Sequence, residues 1–462
     1  MKNRITGLLT MGAALLFGHT AHAQVNMKTL ATSKEESHFV LAYKAYDSAG
    51  RKAAADSVVA FAKKNIPQSK AMRAELVQKM QQEKDVLKRE QLFKQCVDAY
   101  PIRNIPGIFV VYDYMRAGIG AHYATEGNSA KAKQYADEME YPFWAGEGRM
   151  IIANALLKKG DTATATGLVL KAVETGRAFV NPKPGDNEAQ FAAVGYPYSN
   201  LMYANLMYRQ GNYDTALVYM EEAARYNARG EGDYYLLHAR ILRALNKLPE
   251  AQAKLETSVI TGKSNQVSLK ELQEIYQLRN GNTSGFETYV AGLKNKMKAE
   301  TKARVSKEMI DEPALAFALK DLNGNSVSLA SLKGKVVVLD FWATWCGPCK
   351  ASFPAMKKAQ DKFKNDGKVQ FLFIDCWERA EDYEELVKKY ITSNKYDFSV
   401  LFDPKPAEGK SVAEHYGVTA IPAKFVIDGN GRIRFKMAGF TGGEEAAVEE
   451  LSAMINMAKG SN

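Results

Sequence analysis

The feature that most constrains this chain is an apolar, β-branched run that ends in two closely spaced cysteines. Val336–Trp342 is followed by Ala343-Thr344-Trp345 and then by Cys346-Gly347-Pro348-Cys349. The run is typical of a buried strand, and the segment after the cysteines has helical potential. Cys346 is therefore predicted at a strand-to-helix junction, where unpaired N–H groups and the helix dipole favour a thiolate. Because a thiolate attacks disulfides, the motif predicts redox chemistry.

A Cys-x-x-Cys pair can also be half of a zinc site, or a structural disulfide without a redox role. A zinc site needs two more ligands at suitable spacing. The other cysteines, Cys96 and Cys376, are isolated in the sequence and are expected to be buried. The six histidines form no paired motif. We therefore expect no metal and no cofactor other than a redox-active Cys346–Cys349 disulfide.

The length and the charge limit the class of protein. At 462 residues the chain exceeds one ordinary hydrophobic core, so two or three domains are expected. Hydrophobic residues make up 46% and charged residues 25%, as in globular proteins. The formal net charge is +10, but basic residues alternate with acidic ones, as in 79–85 and 294–300. This pattern is typical of solvated helix faces, so no nucleic-acid partner is expected.

The N-terminus is predicted to be a secretory signal peptide, residues 1–23. Lys2 and Arg4 give a positive start, Leu8–Phe17 forms an apolar stretch, and Ala21-His22-Ala23 is a small-x-small cleavage site. The stretch is too short to span a bilayer as a mature helix, and no lipoprotein cysteine follows it. We expect a periplasmic or otherwise exported protein without an integral membrane span. A retained, uncleaved anchor is the alternative.

Residues 24–295 are predicted to form an α-helical domain with an internal repeat. Small residues recur with one internal spacing in three segments: Ala153, Ala165 and Ala172; Ala204, Ala216 and Ala223; Ala239, Ala251 and Ser258. This spacing resembles the tetratricopeptide repeat, which implies stacked helical hairpins and a concave face able to bind polypeptides. A generic α-helical bundle is the alternative. An insertion within 181–197 is expected to break the helices at its prolines and glycines.

The pattern changes after a charged stretch, 296–312, which is predicted to be a connecting helix or linker to a second domain, 313–462. A β-hairpin is expected around the turn Asp321–Asn325. Further strands and helices are predicted along the chain at Val336–Phe341, Cys346–Phe363, Val369–Ile374, Tyr383–Tyr390, Lys424–Ile427, Ile433–Met437 and Glu444–Met457.

This order of elements and the run from Phe341 to Cys349 resemble the thioredoxin superfamily over residues 313 to about 460. Within that superfamily the chain looks most like the exported TlpA/ResA-like disulfide reductases. A hairpin precedes the core, and Pro422 follows Cys349 by 73 positions, which leaves room for an inserted strand–helix element. The predicted architecture is multidomain: a tetratricopeptide-like α-helical domain followed by an α/β thioredoxin-fold domain.

The resemblance implies a role for each residue of the motif. Cys346 would be the exposed, attacking thiol, and Cys349, one turn into the helix, would resolve the mixed disulfide. Gly347 and Pro348 would set the stiffness and potential of the pair, and a Gly-Pro pair indicates the reducing end of the superfamily. Trp345 would pack beside the nucleophile and limit solvent access.

The resemblance also implies roles for residues outside the motif. Pro422 matches the family's cis-proline, and the N–H and C=O of Ile421 before it would pair with an incoming peptide. Asp340 matches a buried acid that relays a proton during attack by the second cysteine; a hydrogen-bonded structural group is the alternative. The lysine that accompanies this acid in thioredoxins is expected to be replaced by Phe371, so that the pKa of Asp340 rises further.

The predicted reaction is reduction of protein or peptide disulfides by the Cys-Gly-Pro-Cys dithiol, recharged by a membrane thiol donor. Oxidation or isomerisation of disulfides is the alternative direction. A different class of function makes the helical domain a binding or scaffold module for exported polypeptides, with an accessory redox domain. A peroxidase is not favoured, because Ala343, rather than threonine, lies three residues before Cys346.

Overall fold

The computed structural model describes residues 27–67, 69–99, 109–226, 233–406, 409–439 and 443–460. The predicted signal peptide, residues 1–23, lies outside these ranges. The chain divides into two compact units, Met1–Ala228 and Arg229–Asn462. The predicted fold class, a helical part followed by an α/β part, is confirmed. Among the described residues, no helix combines the length and the apolar character needed to cross a bilayer.

The first unit is built from helices joined by short turns. In its described part they are α1 (Met27–Thr32), α2 (Glu36–Ser48), α3 (Lys52–Asn65), α4 (Lys70–Gln82), α5 (Val86–Ala99), α6 (Phe109–Thr125), α7 (Ser129–Asp137), α8 (Pro142–Lys158), α9 (Thr162–Arg177), α10 (Asn187–Arg209) and α11 (Tyr213–Arg225). Consecutive helices pack as pairs, as α8 does with α9 and α10 with α11. The repeating alanines Ala153, Ala165 and Ala172 are fully buried, because small side chains let these helices approach closely.

Local capping explains where two of these helices begin. The side chain of Asp161 accepts the N–H of Thr164 at the start of α9, and that of Asp186 accepts the N–H of Ala189 at the start of α10. The predicted break across 181–197 is wrong in its second half, because α10 runs continuously through Pro197. A proline removes only one backbone donor, and packing of the rest of α10 compensates for this loss.

The second unit begins with four helices that the sequence placed in the helical domain or the linker. They are α12 (Asp233–Ala244), α13 (Leu248–Ile260), α14 (Gln266–Asn280) and α15 (Phe286–Val305). Residues 296–312, predicted to be a connecting helix or linker, are helical over their first ten positions, which lie in α15. They do not stand apart from the α/β part, because Val305 is 0% exposed within its core. The compact units divide between Ala228 and Arg229 instead. The charged sequence hides this packing, because only four residues of α15 are buried and they are widely spaced along it: Phe286, Val290, Met297 and Val305.

The rest of the second unit is a mixed sheet covered by helices. Its described strands are β1 (Glu312–Pro313), β2 (Ala318–Asp321), β3 (Ser326–Ser328), β4 (Val336–Trp342), β5 (Val369–Cys376), β6 (Val400–Asp403), β7 (Ala423–Ile427) and β8 (Arg432–Ala438). Its helices are α16 (Gly347–Phe363), α17 (Tyr383–Ser393), α18 (Val412–His415) and α19 (Glu444–Lys459). The strand order is β1-β8-β7-β4-β5-β6-β2-β3.

The central strand β4 lies between β5 and β7 and separates two clusters of core residues. It pairs in parallel with β5 and antiparallel with β7, and all its residues are buried. Val338 and Trp342 belong to one core cluster with residues of α16 and α19, whereas Leu339 and Phe341 belong to the cluster on the other face. The predicted insertion is present as α17 and β6, and β6 joins the sheet beside β5.

Candidate functional site

The cysteine pair lies where β4 ends and α16 begins, as the sequence predicts. Cys346 is the N-cap residue of α16, and its sulfur accepts a hydrogen bond from the backbone N–H of Cys349 at 3.1 Å. The two sulfurs form a disulfide, with the Cα atoms 5.3 Å apart. On reduction, the same N–H and the helix dipole would stabilise a thiolate at Cys346. Gly347 and Pro348, in the first turn of α16, are exposed between the buried cysteines.

Both cysteines are covered in this oxidised form. Cys346 is 3% exposed and Cys349 is 0% exposed. The expectation of an exposed Cys346 is therefore wrong for the disulfide state, because its sulfur is bonded to that of Cys349 and adjoins the segment at Ile421. The chemistry of the motif requires the sulfur to become accessible when the disulfide opens.

The loop before β7 approaches the same sulfur. The Ile421–Pro422 peptide bond is cis, as expected, and the carbonyl oxygen of Ile421 lies 3.8 Å from Sγ of Cys346. Antiparallel pairing of β7 with β4, in which Ala423 is opposite Phe341, holds this loop beside the start of α16. The structure thus brings Cys346, Cys349, Ile421 and Pro422 together from positions more than 70 residues apart.

A buried ion pair lies on β4 and β7. Asp340 is 1% exposed and Lys424 is 4% exposed, and Nζ of Lys424 lies 3.2 Å from a carboxylate oxygen of Asp340. The expectation that the cation is missing is therefore wrong: it comes from β7, where Lys424 is directly opposite Asp340. Phe371 is instead opposite Val338 on β5.

The position of this pair determines how Asp340 titrates. Burial raises the pKa of the Asp340 carboxyl above its ordinary value, and the charge of Lys424 opposes that rise. The sequence analysis missed Lys424, although a signal was present. In strand Ala423–Ile427 it alternates with the apolar Val426, which lies in the same core as Val338 and Trp342. A lysine at such a position is buried and needs a partner.

The residues just before Cys346 contact the loop that follows β5. The backbone N–H and the hydroxyl of Thr344 both donate to the carboxylate of Glu378, the hydroxyl at 3.0 Å. The indole N–H of Trp345 donates to the carbonyl oxygen of Trp377 at 3.0 Å. Trp345 is next to Cys346 in the chain but remains 44% exposed, so it is not buried over the cysteine. Sequence reasoning did not identify Glu378, because no spacing rule connects it with the cysteine motif.

The other two cysteines are buried outside this disulfide, as expected. Cys376, at the end of β5, lies in the core on the face of the sheet opposite Trp342. Burial raises the pKa of its thiol, so this sulfur stays protonated and unreactive at neutral pH. Within the described parts of the chain, His, Cys, Asp and Glu side chains form no group of three that could hold a metal ion.

Known proteins share this α/β part. The AhpC/TSA family matches residues 310–436. The thiol-disulfide oxidoreductase ResA of Bacillus thuringiensis (strain Al Hakam) is 33% identical over 133 residues, which are 29% of this chain and 72% of the relative. ResA of Bacillus subtilis (strain 168) is 35% identical over 129 residues, 28% of this chain and 67% of the relative.

A similar solved structure is the thioredoxin domain of a thiol-disulfide oxidoreductase from Bacteroides vulgatus. It is 27% identical in sequence and has a TM-score of 0.26. The match covers 32% of this chain and 95% of that domain.

Proposed function

Because this chain belongs to the thiol-disulfide oxidoreductases that include ResA, we propose that it is an exported enzyme that reduces disulfides of proteins or peptides. One observation carries the proposal: the Cys346 sulfur lies at the start of α16, 3.8 Å from the Ile421 carbonyl oxygen. That carbonyl and the adjacent N–H can pair with an extended substrate, which would bring its disulfide to Cys346.

The proposed reaction starts from the reduced enzyme. The Cys346 thiolate attacks one sulfur of the substrate disulfide, which forms a mixed disulfide and releases the other substrate sulfur as a thiolate that takes up a proton. Cys349 then gives its proton to the Asp340 carboxylate and attacks the Cys346 sulfur. The second substrate sulfur leaves as a thiolate and takes up a proton, the Asp340 carboxyl releases its proton to solvent, and the Cys346–Cys349 disulfide forms. The substrate gains two electrons and two protons, and the enzyme is oxidised by the same amount.

Reduction is the proposed direction because Gly347 and Pro348 separate the cysteines. Superfamily potentials range from about −270 mV for thioredoxin to about −120 mV for DsbA, and we propose that this chain lies toward the thioredoxin end. Continued turnover then needs a dithiol donor, which we propose to be a membrane protein. We further propose that 24–295 contains tetratricopeptide-like hairpins that bind polypeptides, that 1–23 is a cleaved signal peptide, and that the protein is periplasmic.

Insulin reduction by dithiothreitol tests the catalytic part of the proposal. The full chain should accelerate precipitation of the insulin B chain, and Cys346→Ser should abolish the acceleration. Cys376→Ala is the matched control, because it removes a buried cysteine outside the disulfide and should retain activity. Activity that survives Cys346→Ser would favour a binding or scaffold function instead.

The redox potential tests the direction of the reaction. Equilibration of the Cys346–Cys349 pair with glutathione should give a potential close to that of thioredoxin. A value close to that of DsbA would contradict a reductase and favour a disulfide oxidase. Export is tested separately: the mature protein from the native host should begin at Gln24, and an N-terminus at Met1 would contradict a cleaved signal peptide.

A further inference from the structure

The loop that follows β5 binds the residues before Cys346 at several points. Glu378 accepts two hydrogen bonds from Thr344, one from the backbone N–H and one from the hydroxyl. Trp377 accepts the indole N–H of Trp345 through its carbonyl oxygen. The guanidinium carbon of Arg379 lies 4.6 Å from the centre of the Trp345 ring. Three consecutive residues, which we call the 377–379 loop, therefore fix both the backbone and the ring next to the nucleophile.

The backbone of this loop adopts an unusual conformation. Trp377 has φ of 57°, in the left-handed region that bulky residues rarely occupy. Such a conformation persists only where surrounding contacts hold it, and it is enriched at functional sites. Here the carbonyl that the conformation presents is the one that accepts the Trp345 indole N–H.

The fixed residue is also accessible to a partner. Trp345 is 44% exposed although its immediate neighbour in the chain, Cys346, is 3% exposed. Arg379 is exposed as well. A large aromatic surface that is held in one orientation loses little conformational entropy on binding, which favours its use in recognition.

We propose that Glu378 and Arg379 are positioning residues that hold Trp345 as a docking surface for the polypeptide chain around a substrate disulfide. This inference rests on the proposed function and deepens it, since it concerns how a substrate binds at Cys346. Apolar or aromatic side chains next to the substrate cysteine pack on the Trp345 ring, while the Ile421 segment pairs with the substrate backbone. A small disulfide has no such flanking chain and gains nothing from this surface.

The half-reaction of Cys346 tests the proposal whichever way electrons flow in turnover. In the full chain that carries Cys349→Ser, reduced Cys346 forms a stable mixed disulfide, and its rate of formation can be followed by mass spectrometry. We expect Glu378→Ala and Arg379→Ala each to slow reaction with insulin about five- to tenfold, through loss of a preorganised contact surface. The rate with the small disulfide 5,5′-dithiobis(2-nitrobenzoate) should stay within about twofold.

Two further variants make the result specific. Glu381→Ala removes an exposed acid of the same connection and should react with insulin like the parent. Arg379→Lys retains a cation that can lie over the ring and should restore most of the rate. Equal slowing with insulin and with the small disulfide, or an unchanged insulin rate in both alanine variants, would overturn the proposal. Failure of the proposed function is seen separately, as a Cys349→Ser chain that forms the mixed disulfide with insulin while the wild type does not catalyse insulin reduction.

Discussion

At the scale of single residues, the buried Asp340–Lys424 pair is the group that we propose to accept the proton of Cys349. Burying two charges costs several kcal/mol in desolvation, which their mutual attraction repays only in part. Such a pair is therefore a weak source of stability and a reasonable place to tune a pKa. Burial raises the pKa of Asp340 and the charge of Lys424 opposes the rise, so the lysine favours the carboxylate form relative to burial alone.

We expect Lys424→Met to impair the second chemical step. Without the cation, burial acts alone and the pKa of Asp340 rises further, so less carboxylate is present to accept the Cys349 proton. Release of a preformed mixed disulfide should slow about tenfold at pH 7, equivalent to roughly 1.4 kcal/mol, and its pH profile should move to higher pH. Lys436→Met, on the neighbouring strand β8, is the control. An unmoved profile would remove Lys424 from the mechanism.

Asp375, at the end of β5, gives stability a dependence on pH. Burial raises its pKa from 3.8 to about 9, and the charge of Glu378 adds to the rise. The folded chain therefore holds one proton more than the unfolded chain between these values. The resulting stability is full below pH 3.8 and is lost as the pH rises through about 9.

We expect Asp375→Asn to remove this part of the pH dependence. Between pH 5 and 8 the stability of the wild type should fall more steeply, by up to about 1.4 kcal/mol per pH unit. The raised pKa of Asp340 also makes stability fall as the pH rises, but Asp340 is present in both proteins, so it does not affect the difference between their slopes. Urea unfolding at each pH measures the two slopes, with Glu381→Gln as a control. Parallel slopes for the wild type and Asp375→Asn would contradict a raised pKa.

At the scale of elements, the sequence predicted those whose pattern is strong and local. The structure confirms the β4–α16 junction, the β2–β3 hairpin and the β7–β8 pair. These elements were predictable because continuous apolar runs and turn residues mark them in the sequence. The ResA-like resemblance inferred from the run Phe341–Cys349 is confirmed by the relatives. The sequence did not predict β1, and it predicted a strand–helix insertion without locating β6. These strands have two and four residues and exist through pairing with distant strands.

The sequence likewise predicted only part of the candidate site. The family resemblance was enough to predict the cysteine motif and Ile421-Pro422 as site residues. It did not identify Lys424, which lies opposite Asp340 through the register of β7 with β4, or Glu378, which reaches Thr344 through the conformation of its loop. Register is set by the burial of whole faces of a sheet, so a single sequence rarely shows which residue faces Asp340.

A close approach between two elements of the second unit provides a prediction. A methyl group added at Gly443, before α19, would overlap the carbonyl oxygen of Gly262, after α13. Because backbone atoms cannot move aside cheaply, we expect Gly443→Ala to destabilise the chain by about 1–3 kcal/mol in urea unfolding. Gly292→Ala is the control, since it lies within α15 with open space around it and should be neutral or stabilising by up to about 1 kcal/mol.

At the scale of the whole molecule, α15 belongs with the α/β part rather than apart from it. Arg304 forms an ion pair with Glu450 of α19 at 2.7 Å, and Lys294 forms one with Glu445 at 2.8 Å. Val305 is fully buried in the same core as Val338. The sequence suggested that the redox domain begins at residue 313. A domain cut at that residue would lack α15 and therefore these contacts.

We therefore expect two fragments to behave differently. Residues 229–462 should unfold in one transition and retain disulfide exchange. Residues 313–462 should lose at least the roughly 1.5–3 kcal/mol that burial of one valine side chain contributes, in addition to the two ion pairs. Calorimetry of both fragments gives the comparison. Equal melting temperatures would show that α12–α15 add nothing to the stability of the α/β part.

The order of strands in the sheet also affects how such an enzyme handles extended polypeptides. Its two edges are formed by β1, with two residues, and β3, with three. Short edge strands themselves expose few unpaired N–H and C=O groups to an extended chain, although β1 pairs with only Arg432 and Ile433 of the longer strand β8. The Ile421 segment, which we propose to pair with substrate backbone, lies beside the reactive sulfur. If substrates pair at Ile421 as proposed, edge strands this short favour exchange of a substrate's disulfide there over a lasting complex at β1 or β3.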